Sequence, residues 1–102
     1  MNAYDKRQYL KMLELIEGFK KRTVPIDHFL TNTESLLELL EEPNPEWKES
    51  FREELGEIDT TYAVALDKKH VQFRPEDQKY IEAAVDRMEK LLRQLEVEKG
   101  DE

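Results

Sequence analysis

Six apolar side chains, Trp47, Phe51, Leu55, Ile58, Tyr62 and Leu66, recur at intervals of three or four residues. That spacing puts them in one stripe along an α-helix, whereas a strand would scatter them over both faces. Three other segments show the same period. Tyr9, Met12, Leu13, Ile16 and Phe19 form one stripe, widened by Leu10 and Leu15. Ile26, Phe29, Leu30, Leu36, Leu37 and Leu40 form a second, and Ile81, Ala84, Val85, Met88, Leu91, Leu92 and Leu95 a third.

Prolines separate the segments. Pro25 disfavours a helical Val24 and suits a first-turn position in the second segment. In Pro43-Asn44-Pro45, Asn44 is a good N-cap and Pro45 a good first helical residue. Pro75 opens the last segment. The pattern predicts helices over about 5–22, 25–41, 45–67 and 75–98. Residues 68–74, with His70, Val71 and Phe73, form a polar connection, and 99–102 a frayed tail. Four amphipathic helices with short links make one all-α domain, 1–102, expected as an antiparallel up-and-down four-helix bundle.

With no cysteine, the chain has neither a disulfide framework nor a thiolate metal site. No apolar run reaches 18 residues, and the N-terminus starts polar, so a soluble, unexported, cytoplasmic protein without membrane contact is expected. A sequence pI near 4.9 argues against direct nucleic-acid binding. The one basic cluster, Lys20-Lys21-Arg22, falls where the first helix ends and cations favour the helix dipole.

Charge is the second constraint. Residues 38–59 hold nine acids against Lys48 and Arg52, a local charge of −7 in a chain of −8. At 100° per residue, Glu46, Glu49, Glu53 and Glu57 fall opposite the apolar stripe as one outward ridge, with Glu54 and Asp59 at the stripe's edges. A solvated face is one reading. Glu46 and Glu49 also suit the first turns, where acid complements the dipole. The Glu49–Glu53 and Glu53–Glu57 pairs, however, are like charges at i,i+4, each costing roughly 0.2–0.5 kcal/mol. Glu41 and Glu42 are expected at the end of the second helix, where acid opposes the dipole. Gly56 sits mid-helix on a polar side, costing about 1 kcal/mol relative to alanine. Its bare backbone would let a partner approach, and Val64 falls near the same outward side. The candidate partner-binding residues are therefore Glu41, Glu42, Glu46, Glu49, Glu53, Gly56 and Glu57, facing a basic protein.

The segments LIEGFKKRTVPIDHFLTNTESLLELL (15–40), FREELGEIDTTYAVAL (51–66) and YIEAAVDRMEKLL (80–92) resemble the colicin D-type, self-protective colicin-like immunity family. The resemblance implies binding to a nuclease toxin, commonly a tRNA-cleaving one. Carboxylates would stand in for substrate phosphates in a basic cleft. Trp47 would serve as an aromatic anchor there if it is exposed, or as core if it is not. A small helical adaptor, acting by protein–protein contact or self-association through Tyr4, Val64 and Val97, is the alternative. The expected state is a monomer or weak homodimer.

Enzyme readings are weaker. Glu38-x-x-Glu41 and Glu54-x-x-Glu57 resemble the magnesium-holding ExxE pairs of MazG-type nucleotide pyrophosphatases, but Glu57 is expected to face solvent. Arg22 and His28 match the R-x4-6-H spacing of HEPN-type ribonucleases, yet Pro25 interrupts the helix between them. His28 is expected at the core's border and His70 in a loop, with no placeable partner for a triad. No catalytic residue, cofactor or metal is expected.

Overall fold

The computed structural model describes residues 2–67 and 74–100, with side chains at 2–65 and 74–95. It contains four α-helices: α1 (Ala3–Lys20), α2 (Ile26–Leu39), α3 (Pro45–Asp67) and α4 (Pro75–Gly100). No strand occurs among the described residues. The predicted connection at 68–73, with His70, Val71 and Phe73, lies outside them, as do residues 101 and 102 and the side chains of Leu66 and Val97. The last helix, α4, runs through Gly100, two residues beyond the expected bound of 98.

The helices close into a ring in which α1 packs on α2 and α4, and α3 packs on α2 and α4. Tyr9, Met12 and Ile16 of α1 meet Phe29 and Leu37 of α2 in the core, joined by Leu40 just past α2. Phe51, Leu55 and Ile58 of α3 and Ile81, Ala84, Val85, Met88 and Leu92 of α4 complete it. Phe19 stacks on Phe29 with ring centroids 4.5 Å apart. Leu10 departs from the expected stripe. It is exposed, because its direction on α1 diverges from the Tyr9–Met12–Ile16 row. His28 is likewise exposed rather than at the core's border.

Caps fix the helix ends. Asn2 Oδ1 accepts the Asp5 N–H at 2.7 Å, and Asn44 Oδ1 accepts the Trp47 N–H at 2.7 Å, as the Asn-Pro pair predicts. Pro25 lies one position before α2 rather than in its first turn, with ψ 153°. The end of α1 is a left-handed stop: Arg22 has φ 63°, the Thr23 N–H donates to Gly18 O at 2.8 Å, and the Arg22 N–H to Phe19 O at 3.1 Å. Those two bonds define a Schellman motif. The motif folds Val24 back over Gly18, where an added Cβ would meet Val24 Cγ2 at 2.5 Å.

Candidate functional site

The third helix is fixed on both flanks, which determines which of its acids remain free. On the α4 side, Trp47 stacks on Phe51 at 5.3 Å, and its indole N–H donates to Leu91 O at 3.0 Å. Trp47 is thus half-buried packing rather than an exposed anchor. Further along, Arg87 of α4 reaches across to α3. Its Nε donates to Glu54 Oε2 at 2.9 Å and its Nη2 to Glu57 Oε2 at 3.0 Å. The Glu54 carboxylate, hydrogen-bonded to the guanidinium, raises the Arg87 pKa above its ordinary range.

That pairing revises the outward ridge. Glu57 is not on it: the fork of Arg87 draws its carboxylate to the α4 edge. The same fork engages the second ExxE pair, with Glu54 and Glu57 each presenting one oxygen, Oε2, to the guanidinium. Glu41, in the first pair, lies past the end of α2. Among the described residues, no group of three or more His, Asp or Glu side chains is placed to hold a metal ion.

Glu41 and Glu42 also differ from expectation. Because α2 ends at Leu39, they lie beyond the helix instead of opposing its dipole from the last turn. Their backbone N–H groups are taken up by Asp5, a fully buried carboxylate on α1. Asp5 Oδ1 accepts from Glu41 N–H at 3.0 Å, and Oδ2 from Glu42 N–H at 2.8 Å. The Glu42 carboxylate in turn accepts the Asn2 N–H at 2.6 Å. Lys48 completes the clasp by donating from Nζ to Leu40 O. The link therefore holds a fixed shape, with the Glu41 side chain turned to solvent.

What remains outward on α3 is Glu46, Glu49 and Glu53, all exposed. Arg52 approaches Glu49 at 3.6 Å. Glu46 and Glu53 have no ion pair among the described residues. Gly56 is exposed on the α2 side of this face, where an added Cβ would meet nothing within 4 Å.

Comparison with family models, with curated proteins and with solved structures finds no match to this chain. The residues alone carry the functional argument.

Two features of the surface carry no signal in the sequence. Arg87 gives no local sign of its role, since its partners lie 30 and 33 residues away. Tyr80 lies beside the α4 stripe rather than on it, so the helical period does not single it out. Tyr80 and Val64 are each nearly half exposed. Val64 lies seven residues after Glu57, and Tyr80 seven before Arg87, two turns along the same faces. Both present apolar surface to solvent. Among the described residues, no helix is long and apolar enough to cross a membrane.

Proposed function

We propose that this chain is a binding protein whose acidic α3 face engages a basic protein, most specifically a nuclease toxin whose substrate cleft it covers. The observation that carries the reading is that Glu46 and Glu53 stand exposed and unpaired among the described residues, two turns apart on one helix. The molecule does spend cations on its acids elsewhere. Arg87 serves Glu54 and Glu57, and Lys20 serves Asp86 and Glu89. Among the described residues, the outward α3 face receives only the loose Arg52–Glu49 approach. An unneutralised ridge on a rigid helix raises the association rate with a basic cleft, while buried contacts set the dissociation rate. In this reading the helices alternate up and down and the protein acts in the cytoplasm. The short links support the topology, as does Asp5, at the start of α1, clasping the residues just past α2.

The test is isothermal titration against the basic domain encoded by the neighbouring gene, at low and high salt. Tight binding that weakens with salt is expected. The Glu46→Lys/Glu53→Lys variant should bind at least about a hundredfold more weakly while keeping its helical circular dichroism. Undiminished binding by that variant would remove the acidic face from the interface. A neighbouring gene with no basic domain would remove the toxin assignment.

The exposed Val64 of α3 and Tyr80 of α4 favour a second reading, self-association through apolar surface on these two helices. Sedimentation of the wild type and of Val64→Ser/Tyr80→Ser separates the two, since only self-association gives a dimer that the variant loses.

A further inference from the structure

Between α2 and α3 lies a notch of about 220 Å³. Leu30, Thr31 and Glu34 line it from α2, and Arg52, Leu55, Gly56 and Asp59 from α3. Its size is below the roughly 300–1,000 Å³ of small-molecule pockets and fits a single side chain. We propose that this notch receives one long basic side chain, arginine or lysine, of the protein partner. The inference rests on the basic-partner reading and adds a point of insertion to it.

Three observations converge. The inner wall offers leucine surface, suited to a methylene stem. The rim carries Glu34 and Asp59 on opposite helices, and neither has an ion pair among the described residues. A cation between them meets a carboxylate on each side. Arg52 supplies the rim's one positive charge, and its guanidinium is drawn towards Glu49. The third observation is Gly56. Glycine costs helix stability relative to alanine, and here the fold gives no return, since a Cβ would touch nothing. Gly18, by contrast, is required by the close approach of Val24. What Gly56 does provide is an open wall to the notch.

Nitrogen-15 amide spectra titrated with N-acetyl-arginine amide and N-acetyl-lysine amide test the site, with N-acetyl-citrulline amide as neutral control. The expected result is saturable shifts centred on 30–34 and 52–59 with a cationic ligand and none with citrulline. Glu34→Gln/Asp59→Asn should weaken binding at least about threefold, and Gly56→Leu, which fills an exposed helical position, should abolish it. Equal shifts with citrulline, shifts centred on Glu46 and Glu53, or an unchanged response in Gly56→Leu would overturn the proposal. The two readings fail separately. A basic domain that binds Gly56→Leu normally but not Glu46→Lys/Glu53→Lys sinks the notch and leaves the acidic face standing.

Discussion

The Asp5 carboxylate, in the first turn of α1, clasps the backbone of Glu41, just past α2, with both oxygens within 3.2 Å of the Glu41 nitrogen. One of those oxygens also holds the Glu42 N–H. An acid at the start of α1 thus terminates the chain path leaving α2. Asp5→Ala leaves two donors without their acceptor and removes charge-assisted bonds, and should cost about 2–4 kcal/mol. Asp5→Asn keeps one acceptor oxygen and should cost about half as much. Urea denaturation measures both, and a loss below about 0.5 kcal/mol for Asp5→Ala would contradict the clasp.

The helices were legible because their signal is local. A stripe such as Trp47–Phe51–Leu55–Ile58 needs no knowledge of the partner helix, and neither does the Asn44-Pro45 cap. Asp5 and Arg87 were illegible for the opposite reason. As a residue type at its position, Asp5 resembles any acid in a first turn, and its burial depends on where the link after α2 passes. Arg87 resembles any solvated cation of α4 until α3 is laid beside it. The candidate site shows the same division. The outward direction of Glu46, Glu49 and Glu53 followed from helical angle, whereas the removal of Glu57 and the fixing of Glu41 and Glu42 depended on distant residues.

Gly18 and Gly56 predict opposite outcomes for one substitution. Gly18→Ala would put a Cβ 2.5 Å from Val24 Cγ2 and force the α1 stop apart, costing about 1–3 kcal/mol as overpacking does. Gly56→Ala meets open space and should gain up to about 1 kcal/mol from helix propensity. Thermal melts of the two variants should therefore move in opposite directions. If Gly56→Ala lowers the midpoint, that position carries an internal constraint and the argument for a functional glycine fails.

Arg87 and Glu54 should be energetically coupled. Glu54 is the less exposed partner, with its side chain 17% accessible against 45% for Arg87. Discounted for that exposure, a double-mutant cycle of Arg87→Met and Glu54→Gln should return a coupling of about 0.5–1 kcal/mol, shrinking with added salt. Arg87→Met alone should cost more than the double variant relative to its own background, because Glu54 and Glu57 then face each other without a cation. Additive effects would show that the fork is a surface contact of no consequence.

The α1–α4 seam should be sensitive to pH at both extremes. Lys20 Nζ lies 2.6 Å from Glu89 and 3.0 Å from Asp86. The hydrogen bond from Lys20, aided by Arg93, lowers the Glu89 carboxyl below its ordinary 4.5, while the bond to Glu89 raises Lys20 above its ordinary 10.5. A depressed carboxyl contributes stability that is present above 4.5 and lost as pH falls through its folded value. A raised ammonium contributes stability that is present below 10.5 and lost as pH rises through its folded value. The seam is therefore intact across neutral pH and weakens at either extreme. Carbon-detected titration of Glu89 should give a midpoint below 4.5, and Lys20→Met should move that midpoint upward. Because the pair is partly exposed, added salt should shrink the shift as well. A Glu89 midpoint unmoved by Lys20→Met would place the acid outside the pair's influence.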